Sequence, residues 1–137
     1  MARLGIQEAF RKYSAKLKNV QWSVSSWAPD DTLVVSLWAH HCRKGPAGSL
    51  EFSDSVTRWS GLGNQEFRSN VAKAFEAQSP VRLVIASTIN TCHVEAGQDA
   101  SKIKKDFHIR GDLIGRVTDF DGEKYVFRFS AAKEITP

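Results

Sequence analysis

Two runs of β-forming residues meet at Asp121-Gly122, and no other stretch of the chain restricts its fold so tightly. A two-residue type I′ turn needs positive φ at both central positions, which Asp tolerates and Gly adopts freely. The spacing predicts a hairpin over residues 113–130, with Asp119 opposite Lys124, Val117 opposite Val126 and Ile114 opposite Phe129. One face then gathers Ile114, Thr118, Phe120, Tyr125, Phe127 and Phe129 and should form the centre of the core.

Ahead of the hairpin, Ile6, Phe10, Tyr13 and Leu17 recur at helical spacing and predict one amphipathic helix over residues 4–18. The period then becomes two, giving a half-buried strand over 20–27, a long central strand over 32–42 and a shorter one over 49–55, a meander of three. Asn64 offers a cap to a helix that buries Phe67, Val71, Ala74 and Phe75 and ends at Ser79-Pro80. Residues 81–88 read as an inner strand, residues 90–104 as a long loop with one helical turn at 100–104, and residues 107–110 as a strand that Gly111 interrupts. This order predicts an α+β domain spanning residues 1–130, with a single antiparallel sheet of five to six strands, open to strong curvature, and two helices packed on one face. Residues 131–137 are expected to fray.

Of the 137 residues, 42% are hydrophobic and 25% charged, the balance of an ordinary globular domain rather than a membrane or disordered chain. No apolar run approaches the length of a bilayer span, and the first residues mix charge into a helical period, unlike a secretory signal. A cytoplasmic protein with no membrane partner is the expectation. Cys42 and Cys92 then read as reduced, buried thiols. Among residues 1–18, Arg3, Arg11, Lys12, Lys16 and Lys18 face only Glu8, so the whole net charge of +4 resides there. Those charges suit either the solvated side of a helix or a contact with nucleic acid or an acidic partner.

No catalytic signature of comparable strength is present. His40, Cys42, Cys92 and His93 have the residue types of a metal site, but their spacing lacks that of a zinc knuckle, and no metal or cofactor is expected. Carboxylates such as Glu51, Asp54, Asp112 and Asp119 are plentiful without an evident pair, so no catalytic residue is assigned. Gly61-Leu62-Gly63-Asn64 before a helix lacks the third glycine and the lysine of a phosphate-binding loop, and reads as capping. The four tryptophans, Trp22, Trp27, Trp38 and Trp59, cannot all enter one packed face, because Trp22 and Trp27 differ in strand parity.

The runs NVQWSVSSWAPDD, SLWAHH, RWSGLGNQEF, SPVRLVIAST, DASKIKKDFHIRGDLIGRV and FDGEKYVFRF resemble those of small uncharacterised proteins carried on mobile gene cassettes of bacterial integrons. The resemblance implies a bacterial origin and an accessory role. It implies no reaction and carries over no functional residue.

Two classes of function follow. One is a non-enzymatic binding module in which Arg11, Lys12, Lys16, Lys102, Lys104 and Lys105 meet the phosphates of a nucleic acid or another polyanion while Trp27 or Trp59 stacks on an unpaired base. The other is a protein that holds a small aromatic or cationic ligand in a tryptophan-lined pocket between a curved sheet and its helices, an arrangement whose order of elements is similar to the nuclear-transport-factor-like family. A free sheet edge also leaves room for a dimer.

Overall fold

The computed structural model describes residues 5–19, 23–97 and 103–131. Within them lie eight strands and three helices. The strands are β1 (Ser25–Trp27), β2 (Leu33–Trp38), β3 (Cys42–Lys44), β4 (Leu50–Ser55), β5 (Val81–Ser87), β6 (Asp106–Ile109), β7 (Leu113–Phe120) and β8 (Lys124–Ala131). The helices are α1 (Ile6–Arg11), α2 (Leu62–Ala77) and α3 (Thr91–Glu95). The fold is α+β, but the sheet has more strands than the expected five to six and is mixed rather than antiparallel.

The strands run in the order β1-β2-β5-β7-β8-β4-β3. β2 and β5 pair in parallel, because the chain returns to β2 only after crossing by way of α2. β6 and β7 divide the same edge of β5, β6 beside Val84 to Ser87 and β7 beside Val81, so the strand that Gly111 was expected to interrupt is indeed broken there. The expected meander does not form: β4 pairs with β8 and β3 instead of β2.

The expected strand over residues 32–42 is split by a 3₁₀ turn at Ala39–His41. β2 and β3 therefore follow one another in the chain yet lie near opposite ends of the strand order. Five strand spacings in a flat sheet would separate them by about 24 Å, whereas the chain from Trp38 to Cys42 spans at most about 15 Å. The sheet must curl, although it does not close on itself.

Alternation along the central strands supplies two apolar faces. Leu33, Val35 and Leu37 of β2 and Val81, Leu83 and Ile85 of β5 join Phe67, Val71 and Ala74 of α2 in the main core, together with Phe52, Val117, Tyr125, Phe127 and Phe129. The intervening Val34 and Val84 meet Ala9 and Phe10 of α1 on the other side. The two helices foreseen from sequence thus cover opposite faces, not one. Both flanks of these strands are apolar, so periodicity alone could not assign a helix to either.

The hairpin keeps its aromatic face but not its expected register. Gly122 takes φ +97° while Asp121 stays outside the left-handed region. The Asp121 carboxylate accepts from the backbone N–H groups of Glu123 and Lys124, at 2.9 and 2.7 Å, and draws both into the turn. Phe120 consequently pairs with Tyr125, and Asp119 with Val126 rather than Lys124. A bulge at Thr118 then shifts the ladder by one residue. Val117 and Phe120 reach the same core, and Leu113 and Gly115 are buried where Ile114 was expected.

α1 is much shorter than residues 4–18. Ser14 enters the left-handed region at φ +64°, and a Schellman closure forms, with Ala15 N–H on the Phe10 carbonyl and Ser14 N–H on that of Arg11. Leu17 is buried from irregular chain rather than from a helix. α2 closes in the same way at Gln78, short of Ser79-Pro80, but its cap is Gly61. Asn64 instead lies buried within α2 and donates to the Val56 carbonyl at 2.8 Å. The helical turn in the long loop is α3, earlier than residues 100–104, of which 100–102 lie outside the described residues. Ala131 ends β8, and the expected tail beyond it is likewise outside them.

Candidate functional site

The densest convergence of ionisable side chains among the described residues lies where the 3₁₀ turn after β2 meets α3. Cys42 pairs with Phe52, so the turn preceding β3 runs beside the end of β4 that carries Asp54. A 3₁₀ turn places consecutive side chains about 120° apart rather than on opposite faces. His40 and His41 can therefore both turn toward one neighbour, which strand alternation would forbid.

That neighbour is Glu95, the last residue of α3. His40 Nε2 and His41 Nε2 lie 2.8 and 2.6 Å from the same oxygen, Glu95 Oε2. Their rings pack edge to face with centroids 4.4 Å apart. Burial alone would raise the Glu95 carboxyl, but the hydrogen bonds from His41 and His40 outweigh it and hold the group below its ordinary value. On the far side of His41, Nδ1 faces Asp54 Oδ2 at 3.7 Å.

Arg58 fixes this arrangement from below. Its Nε and one terminal nitrogen donate to Asp54 Oδ2 at 2.8 and 2.7 Å, and its other terminal nitrogen donates to the Val94 carbonyl, tying β4 to α3. The chain after α3 comes close because Gly97, at φ +74°, has no Cβ; one there would overlap the Arg58 carbonyl. Tyr125, across the ladder from Asp54, has its hydroxyl pushed far up by burial and, secondarily, by the Asp54 charge, and stays protonated.

Of the metal-type residues noted in sequence, His40 belongs to this cluster and Cys42, Cys92 and His93 do not. Both cysteines are free thiols. Cys42 is half-buried, but Cys92 is exposed, against the expectation of two buried thiols, because its short helix presents it to solvent. Glu95, Asp54 and Arg58 were missed as partners. Glu95 stands in a stretch with no apolar period, and only the long-range placement of α3 brings it to the histidines.

The three described tryptophans do not line the described cleft together. Trp27 packs on the α2 core and donates Nε1–H to Asn70 Oδ1 at 2.9 Å, and Trp59 packs against Phe67 with ring centroids 6.0 Å apart. Trp38 is half-buried beside His40, and Trp22 lies outside the described residues. A cleft of about 250 Å³ is lined by Phe75, Asp119, Phe120, Asp121, Lys124 and Val126, without any tryptophan.

Arg11, Lys12, Lys16 and Lys104 are exposed, Lys105 is half-buried, and Lys102 lies outside the described residues. Ile6 and Tyr13 pack in the same small apolar cluster as Phe107 and Ile109 of β6. The N-terminal segment and β6 thereby meet in one cluster on this side of the sheet. No described helix is long and apolar enough to cross a membrane. Comparison with known protein families, curated proteins and solved structures finds no match.

Proposed function

We propose that the protein is a non-enzymatic binding module that contacts nucleic acid or another polyanion through Arg11, Lys12 and Lys16 and through the lysines ahead of β6, Lys102, Lys104 and Lys105. The observation that carries this reading is that Ile6 and Tyr13, like Phe107 and Ile109 of β6, pack against one small apolar cluster around Phe10 and Val84. The cluster sets the N-terminal segment beside β6, and in this reading its charges and those of the lysines ahead of that strand act together on a phosphate backbone. Arg11, Lys12 and Lys16 are exposed while the neighbouring Phe10 is buried, so they are available without unfolding. The accessory role implied by the resemblance to integron cassette proteins suits a small module of this kind. A tryptophan-lined ligand pocket has less support, since Trp27 and Trp59 pack into the α2 core.

Fluorescence anisotropy with labelled single- and double-stranded oligonucleotides across a salt series tests the reading. Each phosphate contact adds about 0.7 to 0.9 to the slope of log affinity against log salt, so four or five contacts give roughly −3 to −4. Replacing Arg11, Lys12 and Lys16 together by Gln should flatten that slope and leave the fold intact. Absence of binding at low salt, or binding indifferent to the triple replacement, would overturn it.

A further inference from the structure

We propose that His40, His41 and Glu95 form a binding site for one divalent transition-metal ion of the zinc class. One ring nitrogen from each histidine and a Glu95 carboxylate oxygen all lie within 4.8 Å of one another. An ordinary ion pair needs one imidazole, whereas here two consecutive histidines aim the same nitrogen at one carboxylate oxygen. Two imidazoles and a carboxylate on one side, with the other side open, make a donor set that suits zinc, cobalt, nickel or iron. Calcium and magnesium, which favour oxygen donors, suit it poorly.

The distances are close to what coordination requires. Tetrahedral ligands about 2.0–2.1 Å from an ion stand roughly 3.3 Å apart, and the present separations of 2.8 and 2.6 Å widen to this by a small outward rotation of Glu95. Glu95 has room for it, with half of its side chain exposed. His40 and His41 are more enclosed, at 25% and 12%, which leaves an entry path and keeps both rings in place.

The surroundings prepare the rings for a metal. An ion displaces the Nε2 proton that His41 gives to Glu95, and with the remaining proton on Nδ1, facing Asp54, the ring presents its Nε2 lone pair to the metal. Asp54 is held for this by two contacts from Arg58, whose further bond to the Val94 carbonyl fixes the helix that supplies Glu95. The third ligand and the support of the second thus share one side chain.

The test is titration of the chelator-stripped full-length protein with Zn²⁺ in competition with a chromophoric chelator, paired with Co²⁺ absorption spectra. One ion per chain is expected. His40→Ala and Glu95→Gln should each weaken binding by at least about tenfold, and His40→Ala should alter the Co²⁺ band. His93→Ala and Cys92→Ser should change neither. Far-UV circular dichroism confirms folding, and Glu95→Gln, at a half-exposed side chain, remains informative if His40→Ala misfolds. Failure to bind one equivalent, binding that survives both ligand replacements, or binding lost with Cys92 or His93 would overturn the site.

Discussion

Gly115 and Phe129 face each other across the β7–β8 ladder, and the Phe129 ring fills the space where any Cβ at position 115 would stand. Such a Cβ would also overlap the Arg128 carbonyl, which is backbone and cannot swing aside. Gly115→Ala should therefore destabilise by about 1–3 kcal/mol, although alanine is ordinarily the better strand residue. Urea denaturation measures it, and a neutral result would mean that the ring does not lie over the glycine.

Phe127 is fully buried, stacked with Phe129 at 6.1 Å and near Phe67 of α2 at 6.3 Å. Phe127→Ala should cost about 3–5 kcal/mol. An equilibrium loss below about 1 kcal/mol would place the centre of the core elsewhere.

The cysteines should differ in reactivity. Cys92 is exposed, whereas burial raises the Cys42 thiol above its ordinary value despite the nearby Arg43. A chromogenic disulfide reagent at neutral pH should show one fast and one slow thiol, with Cys92→Ser removing the fast phase. Loss of the slow phase instead would reverse the assignment.

Glu95 should couple stability to acid. Its carboxyl is held below its ordinary value when folded, so the unfolded chain takes up the proton first as pH falls. The stabilisation from its histidine bonds is full above the ordinary carboxylate range and disappears as pH falls through the folded value. In chelator-containing buffer, the melting temperature of the parent protein should exceed that of Glu95→Gln near neutrality, and the gap should close as pH falls below the ordinary carboxylate range. A gap that stays constant over this range would contradict the linkage.

How much of this was legible depended on whether local pattern or distant contact placed a residue. α2 was readable because Phe67, Val71 and Ala74 repeat at helical spacing and are all buried, and β8 because Tyr125, Phe127 and Phe129 alternate. The hairpin register was not, since a side-chain cap from Asp121 and a bulge at Thr118 leave little trace in a period-two pattern. Leu17 continues a helical spacing from Ile6 while reaching the core from irregular chain, which made α1 look longer than it is. His40 and His41 read as strand residues because Trp38 and Cys42 on either side are strand, and the 3₁₀ turn between them answers to the curl of the sheet. Of the candidate cluster, His40 alone was singled out from sequence as it stands, Glu95 being brought in by tertiary packing.

The strand order also sets how the chain must fold. β7 and β8 can find each other at once across a four-residue turn, but β8 receives β4 only when Leu50 meets Phe129, and β5 settles beside β2 only when Val81 meets Leu33. Pairings between such distant positions are slow to close. Until they do, the aromatic side of the hairpin has neither Phe52 nor α2 to cover it, so a chain that has closed only this hairpin leaves Tyr125, Phe127 and Phe129 open to water and to other chains.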